Sequence, residues 1–126
     1  MRKIIIILVL LVIFVSCNRE TKKIENTARA YLEALANYRV DEAKDYATME
    51  TCNTTLLISE QLLTMVDTAY ILSDTPATID IQEVVLENDS VSVVKYVKNT
   101  PLKHDMKGEL CLVKRNNQWL AHDVLN

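Results

Sequence analysis

Tyrosine, aspartate and histidine side chains that could carry acid–base chemistry occur at widely separated positions of this chain. The candidates considered are Tyr31, Tyr46, Asp80, Tyr96, His122 and Asp123. His122 and Asp123 form the best-placed pair, but adjacent residues of a strand point to opposite faces of a sheet and cannot form a direct dyad on one face. Each tyrosine is expected to be a core residue with its hydroxyl at the edge. These residues alone therefore predict no convergent catalytic set, and we expect a non-enzymatic protein.

The sequence also lacks the residue spacings that metal sites and phosphate sites need. His104 lies in a polar linking segment and His122 near the chain end, and the sequence has no Cys-x-x-Cys or His-x-x-x-His pair. Gly108 is the only glycine, which excludes the glycine-rich loops that hold phosphates. We expect no metal and no cofactor.

Cys52 and Cys111 could form a disulfide in an oxidising compartment. Such a bond would stabilise the fold by about 4 kcal/mol in the chain-entropy model. Cys111 lies in an apolar strand between Leu110 and Leu112, however, and free cysteines are often buried. We therefore favour two unpaired cysteines, because pairing needs a geometry that a sequence does not show.

The first seventeen residues match a bacterial lipoprotein signal. Arg2 and Lys3 precede an unbroken apolar run over residues 4–15, and Ser16 and Cys17 follow it. The run is shorter than the roughly 20 residues of a spanning helix, which argues against an uncleaved anchor. Cys17 is therefore predicted to be the lipid attachment site and the first mature residue, with diacylglyceryl and further acyl chains such as palmitate holding it in the membrane.

This signal divides the chain into a signal peptide at residues 1–16, a lipidated tether at 17–22 and a domain at 23–126. The expected location is the cell envelope. Asn18 does not provide the aspartate-type signal for retention in the inner membrane, so we favour the outer membrane, on its periplasmic face or at the cell surface.

The expected mature chain is acidic. Without Arg2 and Lys3 it carries 12 basic and 17 acidic side chains, a net charge of −5. Its lysines are dispersed rather than clustered, so no surface for a phosphate backbone is expected and nucleic acid is excluded as a partner. About 110 residues suit one domain with a single modest core.

Helices are predicted in the first half of the domain. Residues 24–38 repeat apolar side chains at spacings of three and four, which predicts one amphipathic helix. Asp41 is the expected N-cap of a shorter helix through about Met49. Asn53 or Thr54 would cap a third helix. The apolar face of this helix would consist of Ile58, Leu62, Met65, Val66, Ala69 and Tyr70.

After Pro76 the period changes to two, which predicts four antiparallel strands in two hairpins. The expected strands are residues 78–87, 90–97, 106–115 and 118–125. Asn88-Asp89 and Asn116-Asn117 would form the turns. Gly108 within the third strand suggests a bulge or bend that would curl the sheet around a helix.

This order resembles the nuclear-transport-factor-2-like (cystatin-like) superfamily, especially its small bacterial lipoproteins with domains of unknown function. The resemblance rests on three segments, residues 28–35 (ARAYLEAL), 40–43 (VDEA) and 110–120 (LCLVKRNNQWL). It implies an α+β fold in which a curved four-stranded antiparallel sheet wraps the long first helix as a cone. It also implies a pocket inside the cone, for which the candidate lining residues are Tyr31, Leu35, Tyr96 and Trp119.

The superfamily includes isomerases, dehydratases, binding proteins and scaffolds, so the fold alone selects no function. We expect a membrane-anchored binding module for a small apolar ligand or an envelope protein. An isomerase-like or dehydratase-like enzyme remains the alternative if Tyr31, Asp80 and either Tyr96 or His122 meet at one cavity. A periplasmic inhibitor or immunity-type protein is a third possibility.

Overall fold

A computed structural model describes the backbone of residues 2–124 and the side chains of residues 19–124. Helices come first in this part of the chain: α1 (Arg2–Ala36), α2 (Val40–Lys44), α3 (Met49–Asn53), α4 (Thr55–Leu63) and α5 (Thr68–Ser73). Strands follow: β1 (Thr78–Asn88), β2 (Val91–Asn99), β3 (Met106–Arg115) and β4 (Gln118–Ala121). The expected α+β order is confirmed.

Helix α1 packs one apolar stripe against the sheet. Ile24, Ala28 and Tyr31 repeat at helical spacing and are fully buried, as the amphipathic pattern predicts. The helix differs in length from the prediction, since it begins at Arg2 and ends at Ala36. Tyr38 lies beyond the helix, in a left-handed turn.

Glu20, which the sequence assigns to the tether, lies within α1 and contacts the sheet. Its Oε2 accepts hydrogen bonds from Trp119 Nε1 at 2.8 Å and from Lys114 Nζ at 3.1 Å. The Trp119 bond, followed by that of Lys114, lowers the pKa of Glu20. The helix is thus fastened to the last hairpin three residues beyond Cys17. Cys17 itself lies outside the described side chains.

In the part of the chain that the structure describes, no helix has the length and apolar character that crossing a bilayer requires.

The four strands form one antiparallel sheet in the order β1-β2-β3-β4. The β3–β4 turn lies at Asn116 and Asn117, as predicted, and both residues have positive φ angles, 52° and 63°. The β1–β2 turn lies one residue later than predicted, at Asp89 and Ser90. The reason is that Asn88 ends β1 and its Oδ1 accepts the Ser90 N–H at 2.8 Å.

Alternating residues of the sheet complete the core. The buried side chains are Ile79 from β1, Val94 from β2, Leu110 and Leu112 from β3, and Trp119 and Ala121 from β4. They meet the apolar stripe of α1. The layer between helix and sheet is therefore filled by packed apolar side chains, which supply the main stabilising burial.

The prediction of a bulge at Gly108 is wrong. Gly108 pairs with Tyr96 in a regular β2–β3 register, and the register shifts lie in β1, between Ile81 and Glu83 and between Leu86 and Asn88. Gly108 is instead needed for packing of a side chain from the neighbouring strand β2. A Cβ there would lie 2.5 Å from Tyr96 Cζ and Oη, so the absent side chain makes room for the tyrosine ring.

The shorter predicted helix is interrupted. Instead of one helix from Asp41, α2 begins at Val40 without a side-chain cap, and α3 begins at Met49 after Thr48, whose Oγ1 accepts the Thr51 N–H. A parallel bridge between Ala47 and Ala121 lies between the two helices. At Ala47 the backbone therefore pairs with β4 instead of continuing as a helix.

The third predicted helix is also divided, and its apolar face is not buried. Asp67 caps α5 by accepting the Ala69 N–H at 3.1 Å, which separates α5 from α4. Leu56 is the buried residue of α4, whereas Leu62 is 56% and Met65 81% exposed. The apolar pattern here marks an outer surface rather than a core contact.

Strand β4 ends at Ala121 rather than at Leu125. His122 and Asp123 therefore follow the strand. The hydrogen-bond partners of their side chains come from the neighbouring helical segments, and the two side chains need not point to opposite faces of the sheet.

Candidate functional site

Two tyrosines and one aspartate approach one another where the chain leaves β4. Tyr31 Oη donates a hydrogen bond of 3.0 Å to Asp123 Oδ2, and Tyr31 is fully buried. Burial raises the pKa of Tyr31 far above its ordinary value, and the charge of Asp123 adds to this effect. Burial, followed by Asp123, also raises the pKa of Tyr96. Both phenols are therefore held protonated, as donors rather than bases.

His122 has a different set of partners, at the start of α3. Its Nδ1 lies 3.0 Å from Thr48 Oγ1, which lies 2.8 Å from Thr51 Oγ1. Thr51 Oγ1 also accepts the backbone N–H of Asp123 at 2.9 Å. These bonds fasten the segment after β4 to the start of α3. Sequence reasoning missed both threonines, although a threonine pair at the start of a helix is a capping signal.

The other acid–base candidates lie elsewhere. Asp80 is exposed and accepts a hydrogen bond of 2.7 Å from Gln82. Tyr46 is half-buried, and its backbone carbonyl accepts the Ala121 N–H at 2.8 Å. The condition that would favour an enzyme, Asp80 beside Tyr31 at one cavity, is therefore not met.

Neither metal ligation nor a disulfide emerges from the described side chains. Between residues 19 and 124, no group of three or more His, Cys, Asp or Glu residues is arranged to hold a metal ion. Cys52 and Cys111 are half-buried free thiols. Burial raises the pKa of both, which disfavours the reactive thiolate.

The four residues expected to line an interior pocket lie in different environments. Tyr31 and Trp119 are packed within the core, at 0% and 3% exposure. Tyr96 lines a depression of about 390 Å³ on the sheet, together with Gly108. Leu35 lines a groove between helices. No cavity lined entirely by side chains of residues 19–124 contains all four of them.

The groove beside Leu35 has a volume of about 300 Å³ and lies between the end of α1 and α4. We call it the apolar groove, and its lining residues are Leu35, Tyr38, Val40, Ser59, Leu62, Leu63 and Val66. All of these residues except Ser59 have carbon-rich side chains. The groove is therefore a concave and predominantly apolar surface, as binding sites usually are.

A second depression, of about 620 Å³, shares Tyr38, Val40 and Leu63 with the apolar groove. We call it the charged depression. Its remaining lining residues are Arg39, Asp41, Glu42, Glu60 and Thr64. The two concavities meet at Tyr38, so one surface offers an apolar part beside a charged part.

Tyr38 occupies a backbone conformation that is unfavourable for its side chain. Its φ angle is 63°, in the left-handed region where glycine is usual and a bulky residue is an outlier. The Arg39 N–H bonds to the Ala34 carbonyl at 2.8 Å and the Tyr38 N–H to the Leu35 carbonyl at 3.2 Å. This pair of bonds is a Schellman motif that ends α1.

The Tyr38 side chain connects this turn to the end of α5. Its Oη donates a hydrogen bond of 2.8 Å to Asp74 Oδ2. Burial, followed by this bond, raises the pKa of Tyr38 to about 12. The hydroxyls of Thr100 and then Tyr38 lower the pKa of Asp74. A strained residue at the junction of two concavities is the kind of outlier that marks functional sites.

Asn37 holds the same turn against the sheet. Its Oδ1 accepts the Ala77 N–H at 2.7 Å and its Nδ2 donates to the Ala77 carbonyl at 3.1 Å. The Nδ2 group also donates to the Glu33 carbonyl at 2.8 Å. Asn37 therefore joins the end of α1 to the segment that leads into β1. The sequence pattern showed only a helix break here.

Comparison with solved structures identifies the architecture. A structure described as an NTF2-like transpeptidase from Campylobacter jejuni matches with a TM-score of 0.59 at 13% identity, covering 79% of this chain and 96% of that one. A ketosteroid isomerase-like protein from Erwinia carotovora atroseptica matches with a TM-score of 0.52 at 15% identity, covering 83% and 93%. The chain has an NTF2-like fold. No protein-family model and no curated protein matches it.

The NTF2-like fold agrees with the resemblance that the sequence suggested. At these identities the likeness concerns the fold alone, and it assigns no activity. Within the NTF2-like fold of this chain, the layer between α1 and the sheet is packed, and the apolar groove lies at the C-terminal end of α1. The candidate functional site is therefore the groove.

Replacing Tyr38 with Phe tests whether the hydroxyl supports the wall of the groove. We expect a loss of about 1 kcal/mol in the free energy of unfolding at neutral pH, because the donor to Asp74 is removed. Tyr38 has an ordinary pKa of 10.0 that folding raises to about 12. Its contribution is thus present below pH 10 and is lost as the pH rises toward 12.

Urea unfolding between neutral pH and about pH 12 measures this effect. Tyr38→Phe should reduce the alkaline loss of stability, whereas Tyr46→Phe, the same change on a half-buried ring between α2 and α3, should leave it unchanged. Equal pH dependence in the wild-type and Tyr38→Phe proteins would contradict the assignment.

Proposed function

We propose that this protein is a lipid-anchored binding module of the cell envelope that holds apolar side chains of a protein partner in the apolar groove. The observation that carries the proposal is the groove itself. It is built by a tyrosine held at positive φ and by Leu35, Leu62 and Val66. No convergent catalytic set accompanies it among the described residues.

A protein partner suits the groove better than an enclosed small molecule. The volume of about 300 Å³ lies at the lower end for ligand pockets, which bury most of their ligand. The adjacent surface of α4 is also apolar, because Ile58 is 42% and Leu62 56% exposed. Ile58 and Leu62 are one helical turn apart, so they extend the apolar surface beyond the groove. A small apolar ligand remains the alternative occupant.

The predicted lipid anchor agrees with the same proposal. Cys17 carries the lipoprotein pattern, and Glu20, three residues later, is bonded to Trp119 and Lys114. A lipid on Cys17 would therefore hold the domain close to the membrane surface. Tethering raises the local concentration of a binding module for partners at the same membrane. An inhibitor or immunity-type role is one form of such binding, and the outer membrane is the favoured site.

An isomerase-like or dehydratase-like enzyme is the second candidate, and the Tyr31–Asp123 pair favours it. The solved structures of similar fold are described as a transpeptidase and as ketosteroid isomerase-like. Against this candidate, Tyr31 is fully buried and Asp80 points to solvent. A phenol closed off from solvent could act on a substrate only if the core opened. The binding function therefore ranks first.

Replacing Cys17 with Ser tests the anchor. We expect the variant to remain unlipidated and to leave the membrane fraction on washing, because no thiol is available to accept the diacylglyceryl group. Radiolabelled palmitate and cell fractionation measure both effects, with Cys52→Ser as the matched control that should keep label and location. Unchanged labelling of Cys17→Ser would contradict the assignment.

A photo-crosslinking residue at position 62 tests the groove. With p-benzoylphenylalanine replacing Leu62, we expect one discrete protein adduct in cells, because this side chain lies at the edge of the groove. The same residue at Leu72, which is 70% exposed on α5, provides the control. The adduct should weaken when Val66→Asn makes the groove polar.

Adducts of equal yield from positions 62 and 72 would count against a specific interface. If no protein adduct forms but a neutral fluorescent apolar dye binds in a Leu62-dependent manner, the small-ligand alternative takes precedence. If both measurements are negative, the groove is not a binding site.

A further inference from the structure

The chemistry of the partner can be inferred from the charge around the apolar groove. Residues 45–94 contain nine acidic side chains and no Lys, Arg or His. Helices α4 and α5 both lie within this segment. The α4 side of the groove therefore has Glu60 within the helix and Asp67 just beyond it, and no basic residue of its own.

Acidic side chains also flank the lining residues directly. Asp67 follows Val66, is exposed, and uses Oδ1 to cap α5. Glu60 follows Ser59 and lines the charged depression. On the opposite side, Asp41 and Glu42 line the same depression. A bound segment would meet carboxylates on both sides of the apolar surface.

The basic groups near the groove are already paired. Arg39 Nε lies 3.2 Å from Glu42 Oε2. Lys44 Nζ lies 3.5 Å from Asp41 Oδ1 and also pairs with Glu60. These two cations face three carboxylates, and Asp67 has no ion pair among the described side chains. The surface keeps an excess of negative charge.

We propose that the occupant of the groove is a basic amphipathic segment of a protein partner. Its apolar side chains enter the groove, and its Lys or Arg side chains approach Asp67, Glu60 and Asp41. This inference rests on the proposed binding function and deepens it. Helices of this kind bind grooves through apolar side chains at spacings of three and four, and complementary charge increases their association rate and selectivity. An anionic lipid surface would instead be repelled by the acidic flanks.

The test uses the full chain in phosphatidylcholine nanodiscs and three fluorescein-labelled peptides. The first has Leu at helical spacing with Lys elsewhere. The second replaces every Lys with Gln, and the third scrambles the first so that its charge is kept but its apolar stripe is lost. Fluorescence anisotropy gives the dissociation constant of each, with empty nanodiscs as the blank.

We expect the Leu–Lys peptide to bind about tenfold more tightly than the other two at low salt, and its advantage over the Gln peptide to shrink as salt is raised. Asp67→Asn should weaken its binding about two- to fivefold, the range for an exposed ion pair. Asparagine keeps the cap of α5, so folding is preserved. Asp89→Asn, the same change in the β1–β2 turn, should have no effect.

The outcomes separate the two proposals. If the Lys and Gln peptides bind equally and both weaken in Leu62→Gln, the groove binds apolar side chains but the basic partner is wrong. If the scrambled peptide binds as well as the first, the interaction is unspecific attraction and the inference is overturned. If no peptide binds and Leu62→Gln changes nothing, the proposed function fails as well.

Discussion

The reversal of the chain at the end of α1 is the constraint on which the candidate site depends. Helix α1 ends at Ala36, α2 packs against it and α4 packs against α2. A Schellman motif makes the turn after α1, with tyrosine at the left-handed position. Left-handed backbone costs about 1–2 kcal/mol for a residue with a side chain. Packing of the Tyr38 ring and its hydrogen bond to Asp74 offset this backbone cost. The same ring forms the wall shared by the apolar groove and the charged depression.

The interior of the domain and its helical surface have separate roles. Between α1 and the sheet, apolar side chains fill the space, and the two large polar side chains have partners: Tyr31 bonds to Asp123 and Trp119 to Glu20. The buried Ser92 Oγ is the exception among the described side chains, since it has no hydrogen-bond partner. Satisfied, packed groups of this kind specify one structure. On the helical side, apolar residues such as Leu62 are left at the surface beside carboxylates. Stability is therefore concentrated in the interior, and the surface proposed for recognition lies apart from it.

The sequence predicted elements whose signals are local. The stripe of Ile24, Ala28 and Tyr31 follows the helical period, and Asn116-Asn117 has the residue types that tolerate positive φ. The sequence pattern did not predict the structural role of Gly108, because this glycine makes room for the Tyr96 ring on another strand. It also joined α4 and α5, since the apolar spacing continues through Met65 and Val66 and only the cap at Asp67 separates them.

The candidate site was harder to predict for the same reason. Leu35 was identified as a lining residue, but the cavity was expected inside the cone, and Leu62 and Val66, which line the groove with Leu35, were assigned only to the apolar face of a helix. Burial of that face depends on contacts between distant segments, which a periodic pattern does not contain. The positive φ of Tyr38 likewise depends on how α1 meets α2, and Tyr is a poor signal for such a turn.

Methyl-resolved NMR of the full chain in nanodiscs, titrated with the Leu–Lys peptide, tests the central claim most directly. If the groove is the binding site, shifts should be confined to the methyl groups of Leu35, Val40, Leu62, Leu63 and Val66, while those of Val94, Leu110 and Leu112 remain unchanged. Shifts at the core methyl groups with an unaffected groove would show that the interior between α1 and the sheet binds instead, and would contradict the account.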